Sequence, residues 1–458
     1  MISGREKRSL PKRQPVKSTM LVVLLICWVG CQDKPRTHIT PHILATTWAT
    51  MVLYVTKNTP SNSPTYASRA FGYIGVTMYE SVVYADSTYK SLRHQLNGLD
   101  TLPLPEPDAS YNWELVFNAS QSSILKNLYN QTSDANKRRI DSLELRLEQD
   151  LSMNVSMEVI AKSTQYGRAL AEAIFKWSLT DGGHRGYLHN FDKEIQIAKK
   201  SGCWEPPLYG QSFSHFPLHP HWGDNRTFVK LNGELPQPAI ISFDEGRSSS
   251  YYAQFDKVYQ KSKSLTQADK EAAIWWSDDP SDTFTPPGHS FYIATLVLKQ
   301  KKPTLIQCAM TYARVGMGVA DSFINCWKWK YHHYSERPSS YIPKHIDERW
   351  ESFWPDPPFP AFPSGHATQA GALAIVMIDL YGDAIAITDS AHVGRPRDEL
   401  RNVDFKARRF NSLTQIANEI ADSRFYGGIH TPQDNEVGLR EGSKMGKNIN
   451  QLLWRHEE

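Results

Sequence analysis

Apolar residues recur at helical spacing along most of the chain. Positions three and four apart share one face of a helix, so this spacing predicts helices that bury one side. In the first half, the predicted helices span residues 42–54, 66–84, 111–129, 133–151 and 157–177. In the second half they span residues 251–263, 266–276, 291–299, 304–331, 413–425 and 434–454, and a further apolar helix begins after Ser364. No segment alternates with the period of a strand, so we predict an all-α fold.

An irregular stretch separates the two sets of helices. Between residues 182 and 249 neither the helical nor the strand period holds, and Gly, Pro and His are frequent. A loop of this length in a compact domain usually has a function or covers other elements. We therefore predict two packed helical bundles. The N-terminal bundle covers residues 40–249, including this covering loop, and a C-terminal helical domain that carries the candidate site covers residues 250–458.

The N-terminus has the pattern of an export signal. Basic residues between positions 5 and 17 precede a short apolar run at 21–29, and Gly30 then precedes Cys31. The apolar run is too short to span a bilayer. We predict a signal peptide over residues 1–31 with a lipobox, in which Trp28 departs from the aliphatic residue that such a box prefers.

This signal predicts an exported protein, either a periplasmic or outer-membrane lipoprotein of a bacterium or otherwise a secreted protein. Its only membrane contact would be a lipid on Cys31. Plain secretion and a short membrane anchor are the alternatives. The long basic segment leaves open whether translation starts at Met1 or Met20.

Composition narrows the class of partner. The formal net charge is only +3 over 458 residues, whereas proteins that bind nucleic acids carry a larger and clustered basic surplus. We therefore expect no nucleic-acid partner. Beyond the signal, Cys203, Cys308 and Cys326 are too few for a disulfide framework and form no zinc motif.

The segment Pro363-Ser364-Gly365-His366 opens the apolar helix in the C-terminal half. Ser is a favoured helix N-cap, and Gly allows a ligand to approach the backbone closely. The free N–H groups of a first helical turn favour an anion. The segment therefore indicates an anion-binding helix N-terminus.

Two basic segments flank this helix start. Lys330 and Arg337 lie seven residues apart upstream, a spacing that fits two turns of one helix face closed by Pro338. Downstream, Arg424 and His430 are again followed by a Pro that marks a boundary. Three cations, a hydroxyl, backbone amides and two imidazoles would form a cage for a tetrahedral oxyanion if the three segments meet.

The three segments in this order, K-x-x-x-x-x-x-R-P, P-S-G-H and S-R-x-x-x-x-x-H, resemble the signature of a known superfamily. It joins type 2 phosphatidic acid phosphatases, bacterial non-specific acid phosphatases and vanadium-dependent haloperoxidases. All three parts are complete here, and they lie in the C-terminal third of the chain.

The resemblance implies which residues bind the oxyanion. Lys330, Arg337, Ser364, Gly365 and Arg424 match the family's anion-binding positions. An Arg guanidinium can donate two parallel hydrogen bonds, whereas Lys acts as a point charge. With vanadate as the cofactor, these residues would hold its equatorial oxygens.

The two histidines of the motifs are the candidate reactive groups. His430 is the expected vanadium ligand, since a neutral imidazole is a good ligand to vanadium. It is also a good nucleophile toward phosphorus. Asp434 would fix its tautomer if the next helix has begun by that residue. His366, beside the anion, is the expected catalytic acid or base.

The motifs are compatible with two reactions. If the site holds a phosphate ester, His430 attacks phosphorus and water completes the hydrolysis. If it holds vanadate, hydrogen peroxide is activated for attack by halide, and hypohalous acid is released to halogenate an organic acceptor. A third alternative is an anion-binding lipoprotein without catalysis, against which the presence of both His366 and His430 argues.

Residues near the motifs favour the haloperoxidase. The run Pro357-Pro358-Phe359-Pro360 and the position of Trp327 resemble the chloroperoxidase type, which implies that Trp327 and Phe359 wall the halide site. Either Asp278 or Asp279 would support Arg424. Lipid phosphatases of the superfamily need spanning helices that this chain lacks beyond residue 31, and the small acid phosphatases are about half its length. We therefore expect a vanadium-dependent haloperoxidase, with a soluble acid phosphatase as the alternative.

Overall fold

The structure is a computed structural model that describes residues 39–195, 197, 200–206 and 216–456. The predicted signal peptide and lipobox, including Cys31, lie outside the described residues. Within them the chain forms fourteen α-helices and one pair of short strands. The prediction of an all-α protein built from helical bundles is therefore confirmed.

The first seven helices lie in the N-terminal half. They are α1 (Pro41–Lys57), α2 (Pro64–Glu80), α3 (Trp113–Leu128), α4 (Asp134–Leu151), α5 (Met157–Ser178), α6 (Lys230–Gly233) and α7 (Ser250–Lys263). Five of their N-caps are Ser or Asn side chains that accept a hydrogen bond from the first turn. These caps explain why the predicted starts lie within about three residues of the observed ones.

The other seven helices follow. They are α8 (Gln267–Trp275), α9 (Thr285–Lys301), α10 (Leu305–His333), α11 (Pro338–His345), α12 (Gly365–Tyr381), α13 (Leu413–Tyr426) and α14 (Pro432–Asn450). Between α12 and α13 lies an antiparallel hairpin of β1 (Ile387–Asp389) and β2 (Arg408–Phe410). The sequence predicted no strand here, because three-residue strands are too short to show an alternation.

One continuous hydrophobic core joins both halves of the described chain. Its centre is α10, a helix of 29 residues that is buried along most of its length. It packs on α2 from the first half and on α12 and α14 from the second. The described residues form a single compact unit. The predicted division into two domains between residues 249 and 250 therefore stays a prediction.

Glycines permit the closest helix contacts. A Cβ placed on Gly316 of α10 would collide with the carbonyl oxygen of Phe71 in α2. A Cβ on Gly442 of α14 would come into hard contact with the carbonyl oxygen of Thr368 in α12. Since Thr368 lies in the first turn of α12, this contact packs the helix that begins after Ser364 closely against α14.

One local prediction was wrong. Lys330 and Arg337 do not share a helix, because α10 ends at His333 and Tyr334 adopts a left-handed conformation with φ 50°. Arg337 is the extended N-cap of α11, so Pro338 opens a helix rather than closing one. The turn between the two helices places Arg337 close enough to Lys330 for their charges to interact.

Within the described residues, no helix combines the length and the apolar character that a bilayer crossing requires.

The α12–α14 contact can be tested with one added methyl group. Gly442→Ala should lower the free energy of unfolding by about 1–3 kcal/mol, because the methyl has only rigid backbone to displace. Urea denaturation measures this change. The matched control is Gly318→Ala in α10, where a Cβ meets its nearest neighbour at 3.5 Å. That variant should keep or slightly gain stability, by up to about 1 kcal/mol from helix propensity. Equal losses in both variants would contradict the packing argument.

Candidate oxyanion site

Ser364 caps the N-terminus of α12. Its Oγ accepts a hydrogen bond from the N–H of Ala367 at 3.4 Å, and its own N–H donates to the carbonyl oxygen of Asp434 at 3.0 Å. A Cβ on Gly365 would lie 3.5 Å from the Trp327 ring. The first turn of α12 is thus anchored to α14 on one side and faces an aromatic wall on the other.

Lys330 is fully buried in the last turn of α10. Its Nζ donates to the carbonyl oxygens of Pro360 and Ala361 at 2.8 and 2.7 Å. Burial, with repulsion from Arg337 and Arg424, lowers the pKa of Lys330 to about 7. An anion beside it would favour its charged form.

Arg337 is also fully buried and is held by backbone oxygens from two segments. Its Nε and Nη2 donate to the carbonyl oxygen of Phe359 at 3.0 and 2.9 Å, and its Nη1 donates to that of Ile429 at 2.7 Å. Carbonyl oxygens of residues 359–361 and of Ile429 therefore hold Lys330 and Arg337 in place. Neutral carbonyls orient these charges without cancelling them.

Arg424, on the last turn of α13, is less completely tied. Its Nη1 donates to the carbonyl oxygen of Trp276 at 3.4 Å, and its buried Nε has no hydrogen-bond partner among the described residues. Burial lowers its pKa to about 10, opposed most strongly by the charge of Asp279. Asp278, by contrast, bonds to two histidines. Of the two candidate carboxylates, Asp279 is the main electrostatic partner of Arg424.

His430 lies just before α14, and its Nδ1 is 3.0 Å from Oδ2 of Asp434. Asp434 is also part of the capping box of α14 with Thr431, so the helix has begun where the sequence required it. Burial, followed by repulsion from Arg337, Lys330 and Arg424, holds the pKa of His430 well below its ordinary value. The ring is therefore neutral, with Nδ1–H donating to Asp434 and the lone pair on Nε2.

His366 lies on the first turn of α12. Its Nε2 is buried and has no partner among the described residues. Burial, followed by repulsion from Arg424, holds its pKa well below its ordinary value. A neutral imidazole with a buried, unpartnered nitrogen can accept a proton from a reactant.

A cavity of about 600 Å³ opens on these groups. Among its lining residues are Gly365, His366, Arg424 and His430, together with Trp327 and Phe359. The Trp327 and Phe359 rings lie 4.8 Å apart, and the Phe359 ring lies 5.1 Å from Nζ of Lys330. Lys330 and Arg337 lie within electrostatic reach of His430, and the N–H of Ser364 donates to the carbonyl oxygen of Asp434, whose side chain holds His430.

The described structure therefore brings every residue of the predicted site into one region. It also adds groups that the sequence did not single out. Asp356 is 5 % exposed, accepts a hydrogen bond from Ser339, and is the strongest electrostatic counterpart of Arg337. His289 and Asp389 belong to a buried cluster with Asp278 beside the cavity. Their positions in the chain gave no signal, because the contacts form only in the folded protein.

The donor set fits a small tetrahedral oxyanion such as vanadate. Lys330, Arg337 and Arg424 are three buried cations close to His430, and among the described residues their carboxylate counterparts include Asp279, Asp356 and Asp434. The buried atoms Nε of Arg424 and Nε2 of His366 have no partner among the described residues. Buried polar atoms of this kind normally find a partner, so a ligand with several acceptor oxygens would complete the site.

Comparison with known proteins gives one family and a fold. Residues 310–457 match the family model described as the second helical-bundle domain of VCPO. The fold is similar to the crystal structure of a bacterial vanadium-dependent iodoperoxidase, with a TM-score of 0.79 and 27 % identity. That match covers 93 % of this chain and 99 % of the other. No curated protein gives a significant match.

Two further structures share the fold at lower identity. An apo-type bacterial vanadium-dependent chloroperoxidase has a TM-score of 0.63 and 13 % identity, covering 91 % of this chain and 94 % of the other. The holo-type structure has a TM-score of 0.62 and 14 % identity, covering 92 % and 94 %. The family model covers the three motif segments and the fold covers nearly the whole chain. Together they support the resemblance of this chain to the vanadium-dependent haloperoxidases, through the family model over residues 310–457 and the shared fold.

Proposed function

We propose that this protein binds vanadate and uses hydrogen peroxide to oxidise a halide to hypohalous acid, which halogenates an organic acceptor. At the family level, relatives act on peroxide and halide. The observation that carries the proposal is His430. It is a neutral imidazole whose Nδ1 is held by Asp434 amid three buried cations.

The oxyanion would be held by charge and geometry. Arg337 and Lys330 are fixed by backbone carbonyls, so they would meet the anion without first losing side-chain freedom. Arg424 has a free Nε to donate, and the Ser364 hydroxyl can donate while its oxygen caps α12. Low water access strengthens each of these bonds.

Each histidine would have its own role. Bound vanadate supplies a Lewis-acidic centre that polarises peroxide for attack by halide. His430 would offer its Nε2 lone pair to the central atom, and the Asp434 carboxylate would keep the proton on Nδ1. His366 would take a proton from the incoming peroxide at Nε2 and return it to the leaving oxygen.

Trp327 and Phe359 would form the halide side of the site. Their rings line the cavity and are within reach of Lys330, so a halide there would touch polarisable faces next to a cation. Iodide is the first halide to test, because the iodoperoxidase shares 27 % sequence identity with this chain, more than the two chloroperoxidase structures do. Export of the protein and a lipid on Cys31 stay predictions from the signal sequence.

Reconstitution with vanadate tests the proposal directly. With hydrogen peroxide and iodide or bromide, the loaded protein should halogenate a phenol dye, and the untreated protein should not. The rate is followed by dye absorbance. Rapid p-nitrophenyl phosphate hydrolysis that vanadate inhibits, with no turnover of any halide, would favour the phosphatase. If both assays are blank while phosphate raises the melting temperature, the protein is a binder without catalysis.

The two histidines should fail in different ways. His430→Ala should weaken vanadate binding more than about 100-fold, since even outer-shell partners of a metal ligand contribute about 10- to 100-fold. His366→Ala should keep binding and lower kcat by about 10²- to 10⁴-fold, the usual contribution of a positioned base. Calorimetry and steady-state rates separate the two. Equal loss of affinity in both variants would contradict the assigned roles.

Oxyanion affinity should fall as pH rises. Lys330 has a pKa of about 7 in the free protein, and Asp279 and Asp434 have values raised by burial to about 6. A bound anion favours the protonated form of all three, so binding takes up protons and weakens through pH 6–8 by linkage. Tungstate is the probe, because its charge is constant over this range.

The pH profile has a matched control. In Lys330→Met the decrease above pH 7 should disappear. Lys328→Met changes an exposed lysine of the same helix and should keep the wild-type profile. A wild-type tungstate affinity that is flat or rises from pH 6 to 8 would show that Lys330 and the two carboxylates do not govern the site.

A further inference from the structure

Four buried side chains form a cluster beside the cavity, here called the histidine clamp: Asp278, which also lines the cavity, His289, Asp389 and His392. Nδ1 of His289 lies 2.8 Å from Oδ2 of Asp278, and its Nε2 lies 2.9 Å from Oδ2 of Asp389. Nε2 of His392 lies 3.0 Å from Oδ1 of Asp278. None of the four side chains is more than 2 % exposed.

The geometry determines where the protons lie. Each ring nitrogen of His289 faces a carboxylate oxygen, and a nitrogen can bond there only by donating a proton. His289 is therefore an imidazolium held between two carboxylates. Burial alone would lower its pKa, but attraction to Asp278 and Asp389 raises it to about 10.

The clamp joins three parts of the chain. Asp278 lies in the loop between α8 and α9, His289 in α9, and Asp389 at the end of β1. Asp389 also accepts hydrogen bonds from Nε1 of Trp275 at 2.7 Å and from the N–H of Ala391 at 2.9 Å. These bonds satisfy both buried carboxylates and tie the loop to the hairpin.

The loop that the clamp holds is the one behind Arg424. The Trp276 carbonyl oxygen accepts the hydrogen bond from Arg424, and Asp279 is the main electrostatic partner of that guanidinium. The Trp276 ring lies 4.4 Å from the His289 ring. Asp278 has a left-handed backbone with φ 50°, a conformation that costs a non-glycine residue free energy and persists only when its surroundings enforce it.

We propose that His289 is a positioning residue of the oxyanion site. By bridging Asp278 and Asp389, it holds residues 276–279 so that the Trp276 carbonyl and the Asp279 carboxylate aim Arg424 at the anion. This inference rests on the proposed function only in taking the anion to bind beside Arg424.

The same atoms could instead coordinate a divalent metal, since ligand atoms of Asp278, His289 and His392 lie within 4.8 Å of one another. Two observations favour the imidazolium. His289 uses both ring nitrogens on carboxylates, and the two histidines bond different oxygens of Asp278. A metal-free clamp is thus complete by itself.

The test replaces His289 by Gln and measures tungstate and vanadate affinity by calorimetry, together with kcat, the halide KM and the melting temperature. Gln can still donate a hydrogen bond to Asp278. It then has no second donor for Asp389, because its amide oxygen is an acceptor. Both affinities should fall about 10- to 100-fold, as for other partners that orient a ligand-binding group. The halide KM should change little, because Trp327 and Phe359 are untouched.

Two further variants separate positioning from general destabilisation. His289→Gln combined with Asp389→Asn restores a neutral donor and acceptor pair and should recover part of the lost affinity. Asp321→Asn is the control, since Asp321 is a buried carboxylate that accepts hydrogen bonds from Phe228, Val229 and Asn232 away from the site. It should lower the melting temperature without changing tungstate affinity.

Several outcomes would overturn the inference. They are an unchanged anion affinity in His289→Gln, an equal loss in Asp321→Asn, or a stoichiometric divalent metal in the purified protein that His289→Gln loses. Anion binding without halide oxidation in the wild-type protein would end the proposed function and leave the inference open to the same variants. A wild-type protein that binds neither tungstate nor vanadate would overturn both.

Discussion

Three buried cations within reach of one neutral imidazole are the constraint on which this structure depends. An unpaired charge in a protein interior costs several kcal/mol, on the order of the whole net stability of a domain. Lys330 and Arg337 lower that cost through backbone carbonyls of residues 359–361 and 429, which orient the charges without neutralising them. The fold therefore bears the free-energy cost of a positively charged site, which a bound anion would lower.

Nearby carboxylates offset part of this positive charge. Asp356 and Asp434 are buried and Asp279 lines the cavity, and desolvation raises the pKa of each although a nearby cation lowers it. Each acid thus responds to the charge in front of it. A bound oxyanion would favour the protonated form of these three carboxylates, so binding and protonation are coupled in the site.

Much of the site could be predicted because its information is local. The Ser364 cap, the helix start that places Asp434 below His430, and the order of the basic segments all follow from short-range rules. The turn at Tyr334 could not be predicted, since a left-handed non-glycine residue leaves no mark in the sequence. Three-residue strands gave no period either.

The histidine clamp and Asp356 were invisible for a different reason. Asp278 and Asp389 are 111 positions apart and meet only through the packing of the hairpin on α9. Such contacts depend on the tertiary structure and not on spacing. These long-range contacts of the site are therefore visible only in the folded structure.

The central claim is that one oxyanion binds where the three motif segments meet. A crystal structure of the protein soaked in vanadate, with anomalous scattering to locate vanadium, tests it most directly. The expected result is a single vanadium bonded to Nε2 of His430, with oxygens contacted by Lys330, Arg337 and Arg424. Vanadium bonded to His366, or bound away from these residues, would contradict the claim.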